Sequence, residues 1–241
     1  MKPTVVLTRP GNDNRELAGQ LQAEGFTVLI QPVMRITPCD PGPLPTLTSD
    51  SKVIFISANA VEHGLRTLDL DLEQSQASCF AVGQRTARAL AAAGFSAVCP
   101  ERADSEGLLA LPALADVAGE SVLLVKGEGG RQLLAETLST RGAQVMEYCC
   151  YRRDQEPVDA QAFCQRLSST ETVIFQANSV ETLDYLEAIL SAGGCLARDR
   201  AVVAVPSVRV ASVARERGWQ QVVELSDARD NTFFAFLNAY R

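Results

Sequence analysis

This chain has a single histidine and no paired cysteine motif, and both shortages restrict its chemistry. Zinc sites need clustered thiolate and imidazole ligands, yet the one histidine and seven cysteines include no Cys-x-x-Cys pair. We therefore expect no structural metal, and we expect the cysteines to be buried, reduced thiols. Because the sequence also has no Gly-x-Ser-x-Gly elbow, a serine hydrolase triad is disfavoured. The histidine, His63, lies on a predicted helix, where we expect it to be solvated or to cap the helix.

Long apolar runs are also missing. No stretch approaches the roughly 20 consecutive apolar residues of a membrane helix, and we see no signal peptide at the N-terminus. We therefore expect a cytoplasmic protein. Lys and Arg total 22 against 29 Asp and Glu, and they are scattered along the chain. This pattern disfavours nucleic acid as a partner, because phosphate binding needs a basic face. It still allows an anionic small molecule in a locally positive cleft.

Nucleotide-binding fingerprints are absent as well. Residues 125–131, Val-Lys-Gly-Glu-Gly-Gly-Arg, lack the Gly-Lys-Ser/Thr ending of a phosphate loop, and the chain has no Gly-x-Gly-x-x-Gly spacing. The sequence therefore disfavours a nucleotide or flavin protein.

The chain does contain a regular alternation of predicted strands and helices. Such alternation is typical of an α/β fold, with parallel sheets covered by helices on both faces. A glycine follows the last turn of several predicted helices, as a left-handed C-terminal residue; these glycines are Gly25, Gly94, Gly142 and Gly218. The predicted strands are 4–8, 27–36, 52–56, 78–82, 97–99, 121–125, 144–151, 172–175, 201–205 and 221–225. The predicted helices are 14–24, 60–68, 86–93, 108–115, 130–141, 180–191, 208–217 and the closing segment 230–240.

Several segments recur at a spacing of about half the chain, which indicates an internal pseudo-repeat. Residues 53–62 return as 173–181, one residue shorter, and residues 81–88 return more loosely as 204–211. A duplication implies two similar lobes, and we expect a small molecule to bind in the cleft between them.

Two linkers divide the chain at equivalent points of the repeats, near 34–45 and 149–157. The first 36 residues are too few to sustain a core alone. We therefore predict that residues 1–36 join 154–241 in one discontinuous lobe and that 37–153 form the other. The alternative is two consecutive halves that divide near Gly119. Two crossing strands would act as a hinge.

The candidate binding residues are polar and small residues that directly follow the predicted strands. Open parallel sheets bind ligands beyond the carboxyl ends of their strands, where helix N-termini present unpaired N–H groups. Some of these residues fit an ordinary role as helix caps equally well. Tyr151 ends a predicted strand beside a linker, where it either reaches the cleft or packs as a hinge aromatic. The candidates are Thr8, Arg9, Ser57, Ala58, Asn59, Gly83, Thr86, Lys126, Gly127, Gly130, Arg131, Gln176, Asn178, Ser179, Ser207 and Arg209.

The ordered set of these segments resembles the uroporphyrinogen-III synthase family over essentially the whole chain. No single motif is diagnostic, and the order of the set carries the resemblance. The segments are 6–11 (Val-Leu-Thr-Arg-Pro-Gly), 55–62 (Phe-Ile-Ser-Ala-Asn-Ala-Val-Glu), 81–87 (Ala-Val-Gly-Gln-Arg-Thr-Ala), 123–131 (Leu-Leu-Val-Lys-Gly-Glu-Gly-Gly-Arg), 145–151 and 205–209 (Val-Pro-Ser-Val-Arg).

The resemblance implies two flavodoxin-like α/β lobes joined by a two-stranded linker, with no metal, nucleotide or other cofactor. It implies a lyase that cyclises hydroxymethylbilane, a linear tetrapyrrole, with loss of water and inversion of ring D. Tyr151 resembles the family's functional tyrosine, and Ser57, Thr86 and Ser207 match loop positions that bind or orient the substrate. In the second repeat, Gln176 occupies the position that corresponds to Ser57 in the first repeat. We expect a monomer that has transient contact at most with hydroxymethylbilane synthase.

One rival from another class is a non-catalytic, two-lobed binding protein or sensor that closes on a small anion. The fold alone does not distinguish the enzyme from the binding protein, because such lobes host many functions. An assay of hydroxymethylbilane cyclisation separates them.

Overall fold

The computed structural model describes residues 2–11, 14–130, 132–195 and 198–240, without the side chains of 69–71. The chain divides into two compact units. One consists of residues 1–35 and 154–241, and the other of residues 36–153.

The discontinuous unit contains a five-stranded parallel sheet. Its strand order is β10-β9-β8-β1-β2, and each adjacent pair is parallel. Counted within this unit, the order is 2-1-3-4-5, which is the flavodoxin-like order of a doubly wound sheet. The direction of winding reverses between β1 and β8. The strands are β1 (Thr4–Leu7), β2 (Thr27–Ile30), β8 (Val173–Gln176), β9 (Val202–Val205) and β10 (Gln221–Glu224).

The continuous unit contains a second five-stranded sheet, in the order β3-β7-β6-β4-β5. The pairs β7–β6, β6–β4 and β4–β5 are parallel. Here the winding reverses between β4 and β6. The strands are β3 (Met34–Pro38), β4 (Lys52–Phe55), β5 (Ser78–Ala81), β6 (Ser121–Gly127) and β7 (Gln144–Gln155).

Helices cover both faces of each sheet, because successive strand residues point to opposite sides. In β1, Val6 packs into one core cluster with Phe175 and Trp219, whereas Val5 and Leu7 pack into another. Among the described residues, no helix is both long and apolar enough to cross a membrane. The helices are α1 (Arg15–Ala23), α2 (Ala58–Ser75), α3 (Gln84–Ala92), α4 (Ser105–Leu109), α5 (Leu133–Thr140), α6 (Ala160–Leu167), α7 (Val180–Ala192), α8 (Val208–Glu216) and α9 (Asp230–Ala239).

The helix ends follow the local chemistry of the sequence. Ser57, Ser179 and Ser207 are extended N-cap residues whose hydroxyl oxygens accept a hydrogen bond from the backbone N–H three residues later. The four predicted glycines Gly25, Gly94, Gly142 and Gly218 have φ values of 81°, 91°, 87° and 92°. Their predicted left-handed conformation is therefore confirmed.

Two predicted elements are wrong because a proline interrupts them. The single strand 27–36 is two strands, β2 and β3, that belong to different sheets; Pro32 lies between them and has no N–H to donate. The helix 108–115 is instead α4 followed by a short 3-10 helix, Pro112–Leu114. Residues 97–99 form no strand and contribute one isolated bridge, Phe80 to Val98.

Helix α6 has no counterpart among the predicted elements, and it leads to a second correction. Cys164 of α6 is disulfide-bonded to Cys195, which follows α7, across a Cα–Cα distance of 5.7 Å. The expectation that all seven cysteines are reduced is therefore wrong. The reason is close packing: a Cβ on Gly193 would lie 2.4 Å from the Cys164 sulfur and 2.3 Å from the Ala160 carbonyl oxygen. The other five cysteines are free.

Candidate active site

Several of the candidate residues lie where the sheets reverse their winding. In the continuous unit, Ser57 follows β4, and Lys126 and Gly127 end the neighbouring strand β6. In the discontinuous unit, Thr8 follows β1, and Gln176 ends the neighbouring strand β8. Crevices at such reversal points are the usual ligand sites of open α/β sheets.

A bulge in β7 brings Tyr151 onto the Ser57 side of its sheet. Lys126 pairs with Cys149, but the next residue, Gly127, pairs with Tyr151, so that Cys150 is the extra residue. Cys150 and Tyr151 consequently enter the same core cluster, although they are adjacent in the chain. Bulges of this kind redirect one side chain of a strand and often lie beside active sites.

The Tyr151 hydroxyl lies 3.0 Å from the Oγ of Ser57. The same Ser57 oxygen accepts a 3.0 Å hydrogen bond from the Ala60 N–H as the cap of α2. The capping bond occupies one lone pair of Ser57, and the hydroxyl keeps its proton and a second lone pair for Tyr151. Ser57 therefore acts both as a helix cap and as the partner of a buried phenol.

Three further groups surround Tyr151, whose side chain has no exposed surface. The Arg153 guanidinium carbon lies 5.6 Å from the ring centroid, and its Nη2 is 3.4 Å from the phenol oxygen. Gly127 lies against the ring so closely that a Cβ would be 2.5 Å from a ring carbon. The imidazole of His63 lies 5.8 Å away, centroid to centroid, at an interplanar angle of 36°.

His63 is buried, so the expectation of a solvated or capping histidine is wrong. The residue is only 9% exposed, and its Nδ1 has no hydrogen-bond partner among the described residues. Burial lowers the pKa of the imidazole below its ordinary value, because the charged form loses hydration. The sequence feature that could have indicated this burial is the position of His63 on the helix α2, six residues after Ser57.

Lys126 is buried and paired. Only 4% of its side chain is exposed, and its Nζ lies 2.8 Å from the Oε1 of Glu147 on the neighbouring strand β7. This ion pair neutralises the lysine within its own sheet. No group of three or more His, Cys, Asp or Glu side chains is arranged to hold a metal ion in the described part of the chain.

In the discontinuous unit, Thr8 and Gln176 are joined directly, because the Thr8 hydroxyl donates to the Gln176 carbonyl oxygen. Arg9 forms an ion pair with Asp230, at the start of α9. The buried Asn14 donates through Nδ2 to the Arg9 carbonyl oxygen at 2.7 Å. The Oε1 of Gln176 and the Oδ1 of Asn14 have no partner within the described residues. Asn14 and Asp230 were not among the predicted site residues.

The remaining candidates differ mainly in burial. Gly83 and Thr86 are buried at the start of α3, whereas Gly130 and Arg209 are exposed. Arg131 lies outside the described residues. The half-buried candidates are Ala58, Asn59, Asn178, Ser179 and Ser207.

The cluster around Tyr151 combines two linked hydroxyls with one guanidinium in a buried setting. The Arg153 guanidinium and the Ser57 hydroxyl both lie next to the phenol oxygen, where they favour negative charge on that atom during a reaction. Such a group suits proton donation to a leaving group.

Comparison with known proteins agrees on one family. Residues 15–234 match the model of the family described as uroporphyrinogen-III synthase HemD. Uroporphyrinogen-III synthase of Salmonella typhimurium strain LT2 is 33% identical over 240 residues, which cover 95% of this chain and 96% of that protein. The Escherichia coli K12 enzyme of the same name is 30% identical over 245 residues, with the same two coverages.

Solved structures share the fold. Uroporphyrinogen-III synthetase from Helicobacter pylori 26695 superposes with a TM-score of 0.71 at 16% identity, and the match covers 100% of both chains. A mutant of the Thermus thermophilus synthase gives a TM-score of 0.60 at 19% identity, with 98% of each chain covered. Given the family match and these full-length relatives, this chain belongs to the uroporphyrinogen-III synthase family.

Proposed function

We propose that this chain cyclises hydroxymethylbilane to uroporphyrinogen III, with loss of water and inversion of ring D, in tetrapyrrole biosynthesis. The observation that carries the proposal is the full-length match to synthases that are 33% and 30% identical. The linked hydroxyls of Tyr151 and Ser57 add a group that fits the first step.

The first step is loss of the terminal hydroxyl. In the proposed step the C–O bond breaks, the hydroxyl leaves as water with a proton that the Tyr151 phenol supplies, and the pyrrole supplies the electron pair that forms a protonated azafulvene. Because Tyr151 is fully buried and Ser57 is half-buried, Ser57 gives its own hydroxyl proton to the leaving group and takes up the Tyr151 proton in its place. Arg153 and the Ser57 hydroxyl stabilise the resulting phenolate.

The later steps depend on positioning. The substituted carbon of ring D attacks the methylene carbon of the azafulvene, and the resulting spiro intermediate fragments and recloses with the ring inverted. Hydroxymethylbilane left alone closes without inversion, so the protein must hold the chain in one geometry and exclude water. We therefore assign to the strand-end loops the control of which isomer forms, more than acceleration of the reaction.

The substrate's carboxylates are assigned to backbone N–H groups and short polar side chains at the strand ends of each unit. The N-termini of α2, α3, α7 and α8 offer unpaired N–H groups and a favourable dipole. Arg209 is exposed in the first turn of α8 and adds a cation. Arg9 and Lys126 are occupied by Asp230 and Glu147, so we leave them out of carboxylate binding.

We also propose that the two units are flavodoxin-like lobes derived from an internal repeat and joined by a two-stranded linker near 34–45 and 149–157. The proposal includes a monomer in the cytoplasm that has transient contact with hydroxymethylbilane synthase. The strand order of the discontinuous unit supports the flavodoxin-like part.

The deciding experiment supplies hydroxymethylbilane freshly made by its synthase, oxidises the products and separates the isomers by chromatography. We expect mainly the III isomer, with heat-inactivated protein as the control. If only the I isomer forms, at the rate of the protein-free blank, the proposed function is wrong.

A further inference from the structure

Helix α2 contacts Tyr151 at two points, and the proposed reaction so far uses only one of them. Ser57, the cap of the helix, meets the phenol oxygen at 3.0 Å. His63, about one and a half turns further along, lies against the ring at 5.8 Å between centroids. Gly64, the next residue, fits closely over β6, where a Cβ would lie 2.6 Å from Val125. This contact fixes the helix, and with it His63, against the sheet.

A histidine at this position lowers the stability of the folded protein. It is 9% exposed, and its Nδ1 is buried without a partner among the described residues. A buried polar atom without a hydrogen bond destabilises the folded protein. A phenylalanine would pack against the tyrosine without that cost, so packing alone does not account for an imidazole here.

The charge state of His63 matters because Tyr151 already faces one cation. The Arg153 guanidinium lies 5.6 Å from the Tyr151 ring centroid. A proton on His63 would place a second positive charge against the same ring, inside a buried cluster where charges are poorly screened. The neutral imidazole adds no second charge to this cluster.

The charged and titratable groups around His63 come from several elements. On α2 itself, Glu62 and Arg66 act on the imidazole with opposite signs. Strand β6 carries Lys126, whose ammonium pairs with Glu147. Strand β7 carries Cys150, whose buried thiol has its pKa raised to about 12 and is uncharged. The neighbouring helix α3 carries the exposed residues Arg85 and Arg88.

We propose that His63 is a positioning residue for Tyr151 and that only its uncharged form holds the tyrosine where the III isomer is made. The inference rests on the proposed function. As the pH falls and His63 takes up a proton, Tyr151 moves from Ser57, and the intermediate closes without inversion.

The chain is well suited to a test because it has one histidine. Its titration by NMR therefore needs no residue assignment. Burial lowers the pKa of His63, so we expect a midpoint below about 6.5, the ordinary value for histidine. Between the pKa of the folded protein and that of the unfolded chain, the unfolded chain binds more protons, so stability falls as the pH is lowered through this range.

The functional test measures the fraction of III isomer from pH 5 to 8 for three proteins, each corrected by a protein-free blank. They are the native chain, His63→Gln, and Glu73→Gln as a control on an exposed position of the same helix. We expect the native fraction to fall with the midpoint of the NMR titration. His63→Gln should make III isomer about tenfold more slowly at pH 8, because Tyr151 is less firmly held, and should show no such fall. Glu73→Gln should follow the native curve.

The proposal is overturned if the fraction of III isomer falls at low pH for His63→Gln as it does for the native chain. It is also overturned if the midpoint of that fall in the native chain differs from the midpoint of the NMR titration. The comparison of these two midpoints uses native protein alone, so it remains decisive if His63→Gln does not fold. Native protein that makes no III isomer at any pH would instead contradict the proposed function.

Discussion

The hydroxyl of Tyr151 lies 3.0 Å from the Oγ of Ser57, although 94 residues separate them in the chain. The pair joins the end of β4 to the bulge in β7, across the intervening strand β6. A serine that caps a helix is thereby also the hydrogen-bond partner of a buried phenol.

Replacement of Tyr151 with phenylalanine tests whether this hydroxyl takes part in the reaction. We expect Tyr151→Phe to slow formation of the III isomer by about 100-fold, as for loss of a general acid. Tyr148→Phe is a matched control, because Tyr148 is on the same strand, similarly buried, and bonded through its hydroxyl to Thr67 at 2.7 Å. Both variants should lose about 1 kcal/mol of stability, and chromatography of the products should separate them. Equal isomer ratios for the two would remove Tyr151 from the mechanism.

Gly127 should not tolerate a side chain. A Cβ there would lie 2.5 Å from the Tyr151 ring, so we expect Gly127→Ala to destabilise the protein by about 1–3 kcal/mol and to lower the fraction of III isomer. Gly19→Ala is the control: Gly19 is in α1, and a Cβ there meets nothing within 4 Å. It should raise stability by about 0.4–1 kcal/mol. Urea unfolding measures both, and a neutral Gly127→Ala would contradict the close contact.

The pair Lys126–Glu147 should couple strongly in stability. Glu147→Gln leaves the buried ammonium without its anion, and we expect a loss of about 1–3 kcal/mol in the free energy of unfolding. Lys126→Met together with Glu147→Gln should recover much of that loss, because no charge then remains buried. A double-mutant cycle in urea measures the coupling. Additive effects of the two single changes would show that the pair contributes nothing.

The cysteines provide a direct chemical count. Without reductant, the denatured chain should titrate five thiols, the free residues of the structure, and after reduction all seven. Reduction of Cys164–Cys195, which are 31 residues apart, should lower the free energy of unfolding by about 2–4 kcal/mol. Ser replacement of either cysteine is the control and should make stability insensitive to reductant. Seven thiols before reduction would contradict the bond.

Helices, strands and helix ends can be predicted from the sequence where neighbouring residues are enough to mark them. Strand and helix alternation and the C-terminal glycines are read from neighbouring residues, and the serine caps likewise. Helix α6 carried such a signal, since Asp159 caps it and Phe163, Cys164 and Leu167 lie on its buried face, but its apolar pattern is short. The break at Pro32 was readable too, because proline interrupts a ladder.

Features that depend on pairing between distant strands were not accessible in the same way. The bulge at Cys150 exists only relative to β6, and without it a strict alternation would place Tyr151 opposite Cys150. The contact between His63 and the Tyr151 ring depends on that bulge, because the bulge brings Tyr151 to the α2 side of the sheet. The ion pairs of Arg9 and Lys126 also join distant segments, so the sequence that predicts both cations as substrate-binding residues does not show their partners.

The strand order also dictates how the polypeptide matures as it is synthesised. All five strands of the continuous unit exist once residue 155 has been made, whereas the strand that joins β1 on its second side, β8, begins at Val173. A sheet of only two strands is at best marginally stable in water. During synthesis, the sheet of the continuous unit is therefore completed first. Val5 and Leu7 near the N-terminus stay uncovered until the C-terminal third of the chain has been made. A released chain that ends near residue 160 would carry the complete sheet of the continuous unit together with an uncovered apolar strand, β1, which is the form that chaperones should recognise.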